Sequence, residues 1–266
     1  MDWKIETITP KMAENYLCFN RNNRGIRKGL VLQYARDMKS GNWKLTHQGI
    51  AFNCDGTLLD GQHRLLAIIE SGVAVKMTVT RGVDTNCQLN MDDHGKRTAA
   101  ESLSLARGEL ITQAETAIIR AAVELQGQGR QGHLTKSELD RLIDEFSGSL
   151  NFCQQFYAAK KQRGVTAAPA WGSIALAWFY VQDLDRLHKF CRMFCGLDMI
   201  TEESDRAAQT LREWMLRTGV KSAGQRIEAF QKSQRAIVAF MGYKKIEKLY
   251  GTSVYFPWPL IDPIRR

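Results

Sequence analysis

Proline is scarce in this 266-residue chain: five occur, and none lies between Pro10 and Pro169. Proline removes a backbone donor and fixes φ, so little in that stretch interrupts regular structure. No run approaches the ~20 apolar residues that a membrane-spanning helix needs. The opening MDWKIETITPKM lacks the apolar centre of a signal peptide. A cytoplasmic location without a membrane partner is therefore expected. A disulfide framework is missing too. The six cysteines are dispersed, and the one close pair, Cys191 and Cys195, falls in an apolar helical pattern. His188 precedes that pair by three residues, but the further ligands of a structural zinc do not follow at short spacing. Buried or half-buried reduced thiols are expected. GxxxxGK[ST] does not occur, which excludes a Walker loop. Internal repeats and low-complexity tracts are absent as well.

At 44% hydrophobic and 24% charged residues, the chain is neither disordered nor collagen-like. Its 37 Lys+Arg outnumber 28 Asp+Glu, for a formal charge of +9. A basic excess points to an anionic partner, either nucleic acid or nucleotide phosphate. The excess is nearly even along the chain, +4 over residues 1–107 and +5 over 108–266. Pattern divides the chain where charge does not. Residues 1–107 alternate short helices with strands, residues 108–250 read as successive helices, and 251–266 form an aromatic, proline-bearing tail that is a packed strap or a partner contact. The fold class expected is α+β with a small mixed sheet, followed by a mainly α-helical domain.

Thr9-Pro10 opens a helix to about Cys18, and a second helix covers Leu30–Ser40. Gly49–Asn53 and Thr57–Leu59 are strand-like and joined at Asp55-Gly56, a strong hairpin signal. Gln62–Ser71 has helical spacing and stops at Gly72. Val73–Arg81 alternates as a strand. Further helices are expected over Thr98–Arg107, Thr112–Gln126, Thr135–Ser147, Leu150–Gln162, Ala167–Leu184, Leu187–Cys195, Glu202–Thr218 and Ala223–Leu249. Trp171, Ile174, Ala175, Trp178 and Phe179 make a core stripe at helical spacing.

The block that carries chemistry is Asp60-Gly61-Gln62-His63-Arg64, at a strand end and a helix start. A helix start presents unpaired N–H groups and about half a positive charge. Gly61 permits close approach to the backbone, Gln62 adds a backbone donor, and His63 and Arg64 add a switchable and a permanent cation. These are the parts of a phosphate site. Asp60 is suited to hold a metal ion, to orient His63, or to act as a base. The same block would equally begin a helix with Asp60 as cap and with solvated His63 and Arg64.

The block DGQHRLLA resembles the motif of the ParB/sulfiredoxin-like superfamily. There, a Gly-x-x-Arg stretch at a helix start grips the phosphates of a nucleoside triphosphate. The run from Trp43 through His47-Gln48-Gly49, Asp55-Gly56 and the DGQHR motif to Ser71-Gly72 looks like the ParB-like proteins of phage and prophage genomes. Asp92-x-x-Gly95-Lys96-Arg97-Thr98 is similar to a segment recurring in them. The resemblance covers about residues 5–107 and implies a nucleotide-binding domain using ATP or CTP with Mg²⁺, Asp60, His63 and Arg64 being catalytic and Asp60 holding the metal. Gln62 and His63 stand where chromosome-partition CTPases have Glu and Arg. Gln62 also stands where sulfiredoxins place their cysteine, which argues against sulfinic acid repair. Free-serine kinases carry a His-Arg pair in a similar block, which implies phosphoryl transfer as an option.

Other candidates follow from position. His47 is placed to face the same pocket. Lys96 and Arg97 stand at a second helix start, suited to a phosphate or to DNA backbone. Asp92, Asp93 and His94 are a possible metal cluster or a polar turn. Arg21, Arg24, Arg27 and Lys28 form a basic loop suited to DNA phosphates. The helical part is suited to DNA binding, to substrate capping or to homodimer formation. Three functions result: a nucleotide-binding ParB-like phage protein that hydrolyses ATP or CTP or transfers its phosphate in a DNA-related process; a non-catalytic DNA-binding regulator or partition-like clamp; and a nuclease. No compact carboxylate cluster supports the last.

Overall fold

The computed structural model describes residues 1–21, 23, 25–84, 97–126, 133–157, 162–246, 248–251 and 253–259. The chain is α+β and forms two compact units, residues 1–97 with 131–137, and residues 98–130 with 138–266.

The first unit holds β1 (Asp2–Ile8), α1 (Pro10–Leu17), α2 (Lys28–Lys39), β2 (Ile50–Asn53), β3 (Leu58–Asp60), α3 (Gln62–Ser71) and β4 (Val75–Val83). The sheet order is β1-β4-β2-β3. β4 pairs antiparallel with β1 and parallel with β2, while β3 returns antiparallel on β2. The sheet is therefore mixed. Thr9 caps α1, its hydroxyl accepting from Met12 N–H at 3.2 Å. The β2–β3 turn is closed by Asn53, whose Oδ1 accepts from Thr57 N–H at 2.7 Å, with Gly56 at φ +79°. α3 ends at Gly72, whose φ of +70° favours glycine. The core lies between one sheet face and the helices, with Ile8, Ile50, Leu58, Leu65, Ile68, Met77 and Val79 almost wholly buried. Residues 133–137 join this unit through α2: Gln33 Nε2 donates to Leu134 O at 3.0 Å, and Thr135 Oγ1 donates to Asp37 Oδ1 at 2.7 Å.

β1 is the element that the sequence reading lacks. Its register with β4 runs unbroken from Asp2 opposite Arg81 to Ile8 opposite Val75.

The second unit contains α4 (Ala99–Arg107), α5 (Gln113–Glu124), most of α6 (Lys136–Tyr157), α7 (Ala168–Tyr180), α8 (Leu184–Cys195), a 3-10 turn (Glu203–Asp205), α9 (Arg206–Thr218) and α10 (Ala223–Met241). Two helices expected over Thr135–Ser147 and Leu150–Gln162 are one continuous helix, α6. Gly148 does not interrupt it, and the Trp178 ring packs against the glycine: a Cβ there would lie 2.9 Å from Trp178 Cη2. α10 is shorter than expected, ending at Gly242 with Tyr243 at φ +54°. Trp171, Phe190, Phe194, Phe230 and Phe240 form the aromatic centre of this unit. Of the expected core stripe, Trp171, Ile174 and Ala175 are core, while Trp178 and Phe179 are half-buried. The segment Ser253–Pro259 is a packed strap: the buried Gln234 Oε1 accepts from the N–H groups of Tyr255 and Phe256, Gln126 Oε1 accepts from Trp258 N–H, and the Trp258 ring rests 4.8 Å from Phe146. Among the described residues, no helix is long and apolar enough to cross a membrane.

Candidate functional site

Gly61 sets the geometry at the end of β3. It lies at φ +106°, and a Cβ there would come within 2.5 Å of Ile50 Cδ1 and 3.2 Å of Ile50 Cα. Backbone conformation and close approach to β2 thus both require glycine. The chain then enters α3, where the N–H groups of Arg64 and Leu65 bond to Gly61 O, both at 2.9 Å.

The three residues expected to be catalytic are held in defined places. Asp60 Oδ1 accepts from Gly61 N–H at 2.6 Å, and Oδ2 lies 3.2 Å from Arg64 Nη1. That same Nη1 donates to Gly49 O at 2.7 Å. Arg64 therefore ties the start of α3 to the residue preceding β2, and its side chain is only 15% exposed. His63 is buried, and its Nε2 accepts from the backbone N–H of Arg27 at 3.0 Å. The neutral ring consequently carries its proton on Nδ1. At Nε2 the histidine is an acceptor in this structure, not the donor that the sequence pattern suggests. Gln62 is buried too, its Oε1 accepting from Asn20 Nδ2 at 3.2 Å. Asn23 Nδ2 donates to Asn20 Oδ1 and to Leu58 O, at 2.7 and 2.8 Å. Asn20 and Asn23 were not singled out from sequence. Their polarity within a basic loop gives no signal that they reach a motif some 40 residues further on.

Arg27 brings the basic loop to this place. It is the residue before α2, and its N–H bonds to the second residue of α3. The starts of α2 and α3 therefore meet at His63. Neither has a side-chain cap: Arg27 and Gly61 make no side-chain hydrogen bond to their helices. Of the other helices, α1, α4, α5, α8 and α10 are capped by Thr9, Thr98, Thr112, Asp183 and Ser222, whereas α7 and α9 also start without a side-chain cap. Two uncapped helix starts combine two positive dipole ends. Arg21, Arg27 and Lys28 are exposed in the same loop and helix start.

The remaining candidates are not gathered in. His47 is exposed in the loop before β2, two residues from Gly49, and Arg97 is exposed ahead of Thr98. Among the described residues, neither makes a hydrogen bond or ion pair with α3. Arg24 and Lys96 lie outside the described residues, as do Asp92, Asp93 and His94. No group of three or more His, Cys, Asp or Glu suited to a metal occurs among the described residues.

Elsewhere in the first unit, Glu6, Tyr16 and Arg81 form a closed triad. Tyr16 Oη donates to Glu6 Oε2 and Arg81 Nη1 donates to Glu6 Oε1, both at 2.6 Å, and Arg81 Nη2 reaches Tyr16 Oη at 2.9 Å. Burial pushes the Glu6 carboxyl up, but the bonds from Arg81 and Tyr16 outweigh it and hold it below its ordinary range. Burial and the bond to Glu6 raise the Tyr16 hydroxyl. The carboxylate and the hydroxyl are engaged within the triad and Arg81 is bonded through two of its nitrogens, which is the mark of a structural cluster. The second unit has an open polar groove of about 400 Å³, lined by Arg206, Gln209, Thr210, Glu213, Lys245 and Ile246. No residue singled out as a site candidate lines it.

No family model matches the chain, and no curated protein or solved structure matches it at a significant level.

Proposed function

We propose that residues 1–97 form a nucleotide-binding module of the ParB/sulfiredoxin-like type, in which the converging starts of α2 and α3 receive the phosphates of ATP or CTP. The observation that carries this reading is the pair of uncapped helix starts joined at His63 by the Arg27 N–H. Helix starts without side-chain caps favour an anion, and here two act on one spot. Arg21, Arg27 and Lys28 add exposed positive charge beside them. Arg64 acts chiefly by holding the motif against Gly49, and Asp60 by holding Arg64 and the Gly61 N–H. Asp60 is 41% exposed, so its carboxylate has lone pairs left for one bond to Mg²⁺. A magnesium ion there would take its other ligands from phosphate oxygens and water. Such an ion would neutralise phosphate charge during hydrolysis or transfer.

Isothermal titration with ATP, CTP and GTP, each with Mg²⁺, tests the reading. Binding of a triphosphate is expected, weakened in Arg27→Ala/Lys28→Ala, whose side chains are exposed and whose loss leaves the fold intact. No binding of any triphosphate by the wild-type protein would overturn it. A second reading, a DNA-binding clamp without turnover, is favoured by one feature: both oxygens of Asp60 and the Nε2 of His63 already have partners, so no unengaged base stands at the motif. In that case duplex DNA binds with a steep salt dependence, and no phosphate is released from ATP or CTP.

A further inference from the structure

The two edges of the sheet are treated differently. At the β3 edge the chain supplies its own cover: Leu58 N–H donates to Phe19 O at 3.0 Å, and Leu58 O accepts from Asn23 Nδ2 at 2.8 Å. β3 is also only three residues long. Short strands and covering loops are the usual ways of blunting an edge. At the other edge, β1 has seven residues in unbroken register with β4, without a bulge and without proline. Asp2 to Ile5 are all exposed. Trp3 is 62% and Ile5 54% exposed, and they point to the same face, away from the core. A long, flat, regular edge with apolar side chains is the kind that adds another strand.

We infer that β1 pairs antiparallel with β1 of a second copy of this chain, about a two-fold axis through Ile5, so that the two four-stranded sheets become one of eight strands.

The register follows from the charges. In an antiparallel pair related by a two-fold axis normal to the sheet, directly opposed residues share a face. Centring on Ile5 sets Ile5 opposite Ile5, Trp3 opposite Thr7, and Lys4 opposite Glu6, twice. Lys4 then lies opposite Glu6 twice, a partly exposed carboxylate that keeps lone pairs beside its bonds from Arg81 and Tyr16, and Trp3 and Ile5 of both copies form one apolar stripe. Shifting the centre to Lys4 sets Lys4 against Lys4 and Asp2 against Glu6. Shifting it to Glu6 sets Glu6 against Glu6. Like charges directly opposed are destabilising, so both alternatives are penalised. The DWKIETI sequence is thus self-complementary in one register.

The surface does not depend on nucleotide binding, and it lies in the first unit, not in the helical part where a dimer contact was expected from sequence. Sedimentation velocity on the full chain over a concentration series tests it. A concentration-dependent dimer is expected for the wild type. Ile5→Lys places two lysines against each other on the axis, and Lys4→Glu sets a glutamate against Glu6 of the other copy. Each is expected to weaken the dimer about tenfold or more. Lys4 and Ile5 are both exposed, so the far-UV circular dichroism and melting temperature should stay at wild-type values. A wild-type monomer throughout the series would overturn the proposal. So would a dimer that both variants leave unchanged, since its contact would lie elsewhere.

Discussion

Gly61→Ala is the substitution with the most informative cost. Two separate penalties apply at this position. A residue with a side chain held at positive φ costs about 1–2 kcal/mol relative to glycine. The new methyl would also meet Ile50, 2.5 Å from Cδ1 and 3.2 Å from Cα. The Cδ1 methyl is the far end of a side chain and can swing aside. The Cα belongs to the middle of the sheet and cannot. Overpacking of this kind costs about 1–3 kcal/mol, so the total is about 2–5 kcal/mol. Gly72→Ala is the matched control, with φ +70° and nothing within 4 Å of its Cβ. It should cost only the conformational part. Urea denaturation followed by circular dichroism measures both. Ile50→Val, which removes Cδ1, should cost less in the Gly61→Ala background than in the wild type, where Ile→Val typically costs about 0.5–1.5 kcal/mol. If Gly61→Ala and Gly72→Ala were equally destabilising, the close approach to β2 would have no energetic weight and the reasoning would fail.

Three other predictions concern the two units separately. Arg186 is buried and donates Nε and Nη2 to Phe240 O at 2.9 and 2.8 Å, near the end of α10, with Nη2 also 3.1 Å from Ser204 Oγ; Arg186→Ala leaves that buried carbonyl unpaired and should cost about 1–3 kcal/mol in thermal unfolding, and an unchanged melting temperature would show that water replaces those bonds. Glu6 has a lowered pKa, so its contribution to stability is complete above its ordinary value of 4.5 and disappears as pH falls through the lower folded value; Glu6→Gln should reduce stability at neutral pH and flatten the acid limb, and an acid limb identical to wild type would contradict the triad's role. Native thiol labelling near pH 8 should modify the exposed Cys18 and Cys54 and spare Cys153, Cys191 and Cys195, because burial raises all three thiols, that of Cys195 to about 11; mass spectrometry showing a modified Cys191 in the folded protein would refute the burial.

Local signals made some elements legible in the sequence and hid others. The bounds of α3 were readable because Gly61 and Gly72 flank it, and both adopt the positive φ that marks a helix boundary. The hairpin was readable from Asp55-Gly56. β1 was not, because its pattern misleads: Trp3 and Ile5 face solvent, while the charged Glu6 turns inward to Arg81 and Tyr16. At Gly148 in α6 the glycine makes room for the Trp178 ring, a contact between residues 30 positions apart that the local pattern does not show. The same limit holds at the site. Asp60 to Arg64 stand out as one motif, and the Asp60–Arg64 pair is an i,i+4 relation readable from sequence. The Arg27–His63 and Asn20–Gln62 bonds join residues 36 and 42 positions apart, and only the fold brings them together.

The strap over the helical unit bears on the order of assembly. Trp258 N–H reaches Gln126 across 132 residues of chain, while Tyr255 and Phe256 share the one oxygen of Gln234. Contacts between residues so far apart in sequence form late, because closing a long loop costs entropy before any bond returns it. The pocket that takes the Trp258 ring beside Phe146 therefore has to exist before the strap can enter it. Release should run in reverse. The strap is held by a few side-chain bonds and no sheet, so it is the part that would open first, baring Gln234 and Phe146 while the helices beneath stay folded. Amide exchange at Tyr255, Phe256 and Trp258 would then be faster than in α10, with a rate set by this local opening and not by global unfolding.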